Sequence, residues 1–213
     1  CTDCGTTIAD AEIEYQELPT YLATNRFKIK DSSEEIGVAT TRPELLVACQ
    51  MIVVHPDDER FKKFVGKMAV VPLYEKEVPV KSHRSVDMKF GTGAVMVCSY
   101  GDYHDVMLFR EFKLKEVVAI DTDGKMTSAS GKYAGLSVKD ARSQIIQDLQ
   151  AAGIATKTEQ IHHRTPLCER SRTPIEIVPM QEFYLQQLQF LPRMKRLARK
   201  MVFHPDMHRQ ILE

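Results

Sequence analysis

Hydroxyl, guanidinium and amide groups come together in residues 40–44, Thr-Thr-Arg-Pro-Glu. This segment is predicted to end a strand and open a short helix, because Pro43 suits the first helical position. The unpaired N–H groups of a helix start, beside Thr40, Thr41 and Arg42, suit anionic or ester oxygens. An ordinary capped turn between a strand and a helix is the alternative interpretation.

Two glycines and two carboxylates mark a second segment, residues 89–105. Gly91 and Gly93 permit a close approach of the backbone to a ligand. Asp102 and Asp105 lie three residues apart at a predicted helix start, so both side chains can point the same way. Carboxylates are also common at helix N-termini, so this segment alone leaves a purely structural role open.

The chemistry that these segments allow is narrow. The sequence holds neither a Gly-x-Ser-x-Gly elbow nor a phosphate-binding Gly-Lys-Ser/Thr loop. No further Asp, Glu or His stands at ligand spacing beside the aspartate pair, which argues against a metal there. Hydrolysis at this place would therefore use a positioned water and not a protein nucleophile.

Apolar periodicity indicates which elements position these groups. We predict strands at residues 8–17, 21–30, 35–41, 50–55, 67–74, 77–81 and 93–98. We predict helices at residues 43–49, 57–65, 103–112 and 137–152, and over 183–201 with a break at Pro192. These elements predict an α+β fold with a body at 31–160, flanked by an N-terminal arm (1–30) and a C-terminal return arm with helices (161–213). The two arms can pair with each other.

Composition limits the class of protein. The chain has 213 residues, with Lys+Arg and Asp+Glu balanced at 29 each. Any contact with RNA must therefore come from a local basic patch. No stretch approaches the roughly 20 apolar residues of a membrane helix, so we expect no membrane partner. The densest basic cluster, which is the candidate for such a patch, consists of Arg193, Lys195, Arg196, Arg199 and Lys200. A solvated helix face is the alternative role of this cluster.

The five cysteines carry two expectations. An odd number argues against a disulfide framework and favours a reducing, cytoplasmic location. Cys1, Cys4 and Cys168 resemble three ligands of a zinc ribbon, in which Ser171 stands where a fourth cysteine is expected. His162 or His163 is the alternative fourth ligand. We expect no cofactor unless this cluster binds zinc. The first residue, Cys1, suggests a piece of a longer protein.

The order and spacing of these segments resemble the editing (CP1) domain of class I valyl-tRNA synthetases. The His-Pro-Asp-Asp-Glu-Arg run at 55–60, between residues 40–44 and 90–95, is the valyl-like feature. The resemblance also covers residues 1–6, 172–178 and 208–212, and so nearly the whole chain. The ATP-site signatures His-Ile-Gly-His and Lys-Met-Ser-Lys-Ser are absent from the sequence, so the resemblance implies no aminoacylation by this chain.

The resemblance implies a β-barrel-like core with surrounding helices and a role for each site residue. Asp105 corresponds to the carboxylate that binds the substrate α-ammonium, and Asp102 to the reader of the substrate hydroxyl. The terminal adenosine and the ester would lie at Thr40, Thr41 and Arg42, with Cys98 lining the wall and backbone N–H groups supplied by Phe90, Gly91, Thr92 and Gly93. Met96 and Gly101 replace a lysine and a histidine of many bacterial relatives, which implies an archaeal-type or otherwise divergent branch.

The implied activity is hydrolysis of threonine misattached to the acceptor end of tRNA(Val), within a larger valine–tRNA ligase. An isoleucyl-type domain that clears valyl-tRNA(Ile) is one alternative. A zinc-ribbon RNA-binding module without catalysis is the other.

Overall fold

The apolar segments of the chain fold into one mixed sheet. The computed structural model describes residues 1–205 and 207–212. Within them, the strands are β1 Ile13–Ile29, β2 Glu35–Thr40, β3 Cys49–Val54, β4 Met68–Val71, β5 Lys76–Ser82, β6 Ala94–Cys98 and β7 Ala155–Cys168. Their order is β2-β1-β4-β5-β3-β6, and β7 pairs with β1. The β3–β5 pair is parallel and the other pairs are antiparallel.

Helices separate and follow the strands along the chain. The α-helices of the described residues are α1 Tyr103–Glu111, α2 Val138–Ala151, α3 Leu191–Ala198 and α4 His208–Leu212. Short 3-10 helices lie at Asp10–Glu12, Pro43–Ala48, Lys62–Phe64, Ser128–Tyr133 and Leu188–Phe190. The mixed sheet forms a half-barrel against which α1 and α2 pack, so the predicted α+β, barrel-like fold is confirmed.

The burial of strand β3 explains why its sequence does not alternate between apolar and polar residues. Ile52 and Val54 face the main core, whereas Met51 and Val53 face a smaller core that includes Leu108 of α1. Both faces of the strand are therefore buried, which requires a continuous apolar run. This double burial places α1 and its aspartates against one side of the central strands.

The helix α2 was predicted closely from its sequence. The Ser137 hydroxyl accepts a hydrogen bond from the Asp140 amide over 3.1 Å, and Gly153 follows the helix in a left-handed conformation. Ala141, Ile145 and Leu149 repeat every four residues and are fully buried in the main core. This apolar face fixes the orientation of α2, and with it the side of the helix that carries Arg142.

The two predicted strands 8–17 and 21–30 are one strand, β1, and two helix predictions were wrong. Pro19 does not break β1, because β7 is its one partner strand there and the other edge needs no donor. Residues 57–65 contain only the short 3-10 helix Lys62–Phe64, and the Asp58 carboxylate bonds the Arg60 amide instead of capping a longer helix. Residues 183–187 have no helix, and Pro192 lies in the first turn of α3 instead of between two helices.

The chain divides into two compact units, Cys1–Pro179 and a second one that begins at Met180. In the first, β1 and β7 pair over Ile13 to Asn25, which joins the two predicted arms. The basic residues predicted as a patch are exposed on and after α3 in the second unit. Their contact with RNA stays a prediction.

Candidate active site

The end of β2 and the start of the following 3-10 helix form the first wall of the site. Thr40 Oγ1 accepts a hydrogen bond from the Arg42 amide over 2.9 Å, which turns the chain out of the strand. Pro43 then occupies the first turn of the helix, as predicted. Thr41 is half-buried in the bend between Thr40 and Arg42.

The glycine-bearing loop lies directly on β2. A Cβ on Gly91 would approach the Ala39 Cβ to 2.7 Å, and Gly91 has a φ of 57°, so only glycine fits there. The Thr92 methyl group packs beside Gly37, and its hydroxyl bonds the Ala94 backbone over 3.3 Å. Phe90 remains about half exposed at the tip of the loop.

An ion pair from the 55–60 run braces this loop. Arg60 Nη2 donates to Asp58 Oδ2 over 2.6 Å and to the Met88 carbonyl over 3.1 Å. A Cβ on Gly93 would meet both Arg60 and Asp58, so the pair fills the space beneath the loop. The sequence suggested Asp58 only as a possible helix cap and Arg60 not at all, although both belong to the distinctive run at 55–60.

The two aspartates at the start of α1 have different environments. Asp102 is exposed and caps the helix, since its Oδ1 accepts a hydrogen bond from the Asp105 amide over 2.7 Å. The Asp105 carboxyl is buried, and burial together with the nearby Asp102 charge raises its pKa well above the ordinary value. The positive charge of Arg42 and backbone hydrogen bonds oppose this rise in pKa.

Gly101 lets the loop pack against Asp105. A Cβ at position 101 would lie 1.8 Å from Asp105 Oδ2, so any side chain there would displace the carboxylate. Cys98 lies below, fully buried, with its thiol directed at the Leu45 carbonyl over 3.5 Å. Burial raises the pKa of this thiol, and the Asp105 charge adds to the effect. The structure therefore brings Cys98 close to Asp105 but beneath the surface.

Arg42 joins the two walls. Its Nη1 donates to the Gly101 carbonyl over 3.0 Å, its Nε to Glu44 Oε1 over 3.0 Å and its Nη2 to Glu176 Oε2 over 2.5 Å. Glu44 is fully buried and also accepts two hydrogen bonds from Arg142, over 2.7 and 2.9 Å. All three nitrogens of the Arg42 guanidinium are thus bound to protein.

The end of β2 therefore contacts both segments that carry the other predicted site residues. The end of β2 contacts the glycine loop through Ala39 and the Asp102–Asp105 loop through Arg42. An open cleft of about 620 Å³ lies elsewhere, between β1, β4 and the segment after α2, and none of the predicted site residues lines it.

Comparison with known proteins identifies the region to which the chain corresponds. Valine–tRNA ligases of the archaea Nanoarchaeum equitans, Aeropyrum pernix and Methanocaldococcus jannaschii are 50%, 44% and 40% identical over 213, 212 and 206 residues. These matches cover 100%, 100% and 97% of the chain.

The chain is homologous to one region of the valine–tRNA ligases.

The chain spans about a quarter of the length of these curated relatives, namely 28%, 26% and 24%. No protein-family model matches it. A crystal structure of a ternary complex of LeuRS, tRNA and LeuAMS from Agrobacterium radiobacter K84 shares the fold, with a TM-score of 0.54 and 22% identity over 70% of this chain and 20% of that one. The resemblance to valyl-tRNA synthetases is confirmed, and the half-barrel agrees with the barrel-like fold that it implied.

Three cysteines of the first unit converge at the far end of the β1–β7 pair. The thiols of Cys1, Cys4 and Cys168 lie within 4.8 Å of one another, and Cys1 Sγ lies 3.3 Å from the Ser171 hydroxyl. His162 and His163 cannot complete this cluster, because five or more residues of extended strand, about 16 Å, separate them from Cys168. The suggestion of a histidine as fourth ligand was therefore wrong.

The helices of this region are all too short or too polar to cross a bilayer, as far as the described residues extend.

Proposed function

We propose that this chain is an editing domain that hydrolyses the ester of threonyl-tRNA(Val). The observation that carries the proposal is the position of Asp105, a buried carboxylate held between Gly101 and Cys98 where the end of β2 meets two loops. Homology to valine–tRNA ligases at 40–50% identity supports the valyl assignment over the isoleucyl alternative.

The environment of Asp105 suits a cationic ligand. Burial disfavours its ionised form, and Arg42, the nearest positive charge, already has partners on all three guanidinium nitrogens. A substrate α-ammonium would pair with the carboxylate and supply the missing stabilisation. Asp102 is exposed beside it and is proposed to read the hydroxyl of threonine.

Selectivity for threonine follows from the polar side chain of Asp102, which is proposed to bind the threonine hydroxyl. A carboxylate that accepts a hydrogen bond from threonine would stay unpaired with the isosteric valine. Where the bound acceptor end shields Asp102 from water, such an unpaired polar group costs about 1–3 kcal/mol, roughly a 5- to 150-fold preference for threonine.

Hydrolysis is proposed to use water directly. The buried thiols of Cys49 and Cys98 have raised pKa values, so neither provides the thiolate that nucleophilic attack requires. Thr40, Thr41 and the backbone N–H groups of Gly91 and Thr92 would hold the terminal adenosine and the ester, and Arg42 keeps the loops in register. The Phe90 and Gly93 amides instead donate within the loop, to the Asp87 and Phe90 carbonyls over 3.3 and 2.9 Å. Orientation of an already activated ester and a water supplies the rate enhancement.

Deacylation of mischarged tRNA tests this proposal. The chain should release threonine from threonyl-tRNA(Val) and leave valyl-tRNA(Val) and valyl-tRNA(Ile) intact. Asp105→Asn, which keeps the side-chain volume, should lose at least about 100-fold in rate, because the ammonium loses its charged partner. Asp57→Asn removes a largely exposed carboxylate and serves as the control with unchanged rate. Hydrolysis of valyl-tRNA(Ile) in preference would favour the isoleucyl alternative, and full activity of Asp105→Asn would refute the assigned role.

The parent protein, partners and location follow from the same proposal. We propose that the chain acts within a valine–tRNA ligase, with the acceptor end of tRNA(Val) as its partner. The five free cysteines fit a cytoplasmic location.

A zinc ion at the cysteine cluster is a second proposal. Four thiolates about 2.3 Å from a tetrahedral zinc ion lie about 3.8 Å apart, and Cys4 Sγ and Cys168 Sγ are 3.9 Å apart. Backbone and side-chain hydrogen bonds from Ser171 lower the pKa of Cys168 to about 7, which favours the thiolate that a metal requires. Cys1, Cys4 and Cys168 would hold the ion, which would supply a structural cross-link.

A further inference from the structure

Four charged side chains form a closed network beneath the candidate site. Arg42 and Arg142 contribute two positive charges, and Glu44 and Glu176 two negative ones, so the network is neutral. The Glu44 side chain is fully buried and the Glu176 side chain about nine-tenths buried. Such buried charges are tolerated only when each one is paired, so the loss of any member leaves an uncompensated charge.

The hydrogen bonds of this network also fix the orientation of the Glu44 carboxylate and the Arg42 guanidinium. Arg142 uses Nε and Nη2 to bind both carboxylate oxygens of Glu44, a fork that prevents rotation of the carboxylate. Glu44 Oε1 then accepts from Arg42 Nε, while Glu176 binds Arg42 Nη2 on the other side. The planar Arg42 guanidinium is held at two corners, so its third corner, Nη1, points to one place.

That place is the Gly101 carbonyl, 3.0 Å from Arg42 Nη1. Gly101 directly precedes Asp102 and packs against the Asp105 carboxylate so tightly that a side chain would not fit. A shift of the carbonyl therefore moves both aspartates relative to the end of β2.

We propose that Arg142 and Glu176 are positioning residues for the candidate site, since they orient Arg42 so that it holds the Gly101 loop and its aspartates against the end of β2. The inference rests on the proposed deacylase function and deepens it. Neither residue contacts the site itself; both act through Arg42. Arg142 belongs to α2, and Glu176 to the segment after β7, so the network ties two distant parts of the chain to the site.

The test measures steady-state deacylation of threonyl-tRNA(Val) by variants of the 213-residue chain. Arg142→Lys keeps the positive charge but loses the fork, so the chain should fold while kcat falls about 10- to 100-fold with KM within about twofold. Glu176→Gln should change kcat in the same direction. Lys139→Met, on the exposed side of the same helix, is the matched control and should leave both constants unchanged.

A charge-balanced double variant separates positioning from stability. Arg142→Met alone leaves the Glu44 charge with one partner fewer and should lower the melting temperature. Adding Glu44→Gln removes that charge, so the melting temperature should recover while kcat remains low. Recovery of both, or a kcat of Arg142→Lys within about twofold of the wild type, would overturn the positioning role. Absence of hydrolysis by the wild type would instead overturn the proposed function, and the positioning role with it.

Discussion

The buried Asp105 carboxylate lowers the stability of the folded chain, and its proposed role of binding the substrate ammonium explains this cost. Its pKa in the folded chain lies well above the ordinary value of 3.8, mainly because of burial. Below the ordinary value, the carboxyl is protonated in the folded and the unfolded chain alike. As the pH rises through the folded-state pKa, the folded chain must ionise a buried group, and the stability that the protonated form contributed is lost.

Asp105→Asn is therefore expected to raise the melting temperature at neutral pH while it abolishes deacylation. The difference in melting temperature from the wild type should vanish near pH 4 and widen as the pH rises, because asparagine does not ionise. Thermal unfolding between roughly pH 4 and 8 measures this trend. A difference that is independent of pH would contradict the assignment of the penalty to the charge of Asp105. Asp57→Asn removes a largely exposed carboxylate and is the control for a general loss of negative charge.

The residues of the site were predictable only where they are close in sequence. Thr40, Arg42, Asp102 and Asp105 stand in short runs whose spacing indicated a ligand site. Arg142, in contrast, lies 98 residues from its partner Glu44, and Glu176 lies 134 residues from Arg42. No local pattern relates residues so far apart, so the sequence could not show that Arg42 has protein partners on every nitrogen.

At the level of elements, α2 is expected to tolerate change on one side only. Leu149→Ala removes a fully buried side chain from the main core and should lower the free energy of unfolding by about 2–5 kcal/mol. Ser137→Ala removes the N-cap and should cost about 1 kcal/mol. Gln147→Ala, on the exposed side, is the control and should change little. Urea denaturation measures all three, and equal effects of Leu149→Ala and Gln147→Ala would contradict the packing described for α2.

Elements with strong local signals were predicted well, and those governed by distant contacts were not. The cap at Ser137, the four-residue apolar repeat and Gly153 together define α2 without any tertiary information. Residues 57–65 carry a plausible cap as well, but Asp58 and Arg60 bond each other and support the glycine loop instead. The competing tertiary contact decided the structure there.

At the scale of the first unit, two similar turns join its ends. Residues 1–5 and 168–172 both close with a hydrogen bond from the fifth amide to the first carbonyl, over 3.0 and 2.8 Å. Gly5 and Arg172, the fifth residues, both have a positive φ near 60°. Both turns begin with a cysteine, but Ser171 in the second turn occupies the position that Cys4 holds in the first. The second turn also returns the chain along β7, where the Ile175 amide bonds the Pro166 carbonyl, and so brings Glu176 to Arg42.

Ser171→Cys should therefore complete the proposed zinc site. A fourth thiolate adds a soft, charged ligand, so competition with a chelator should show zinc binding at least about tenfold tighter, which equals about 1.4 kcal/mol. Chelation of the wild type should lower the melting temperature, because zinc binds the folded chain preferentially. It should also lower the deacylation rate, since the turn that holds the metal places Glu176. Cys4→Ser is the control that should bind no zinc. If neither the wild type nor Ser171→Cys retains zinc after loading, the three thiols are not a metal site.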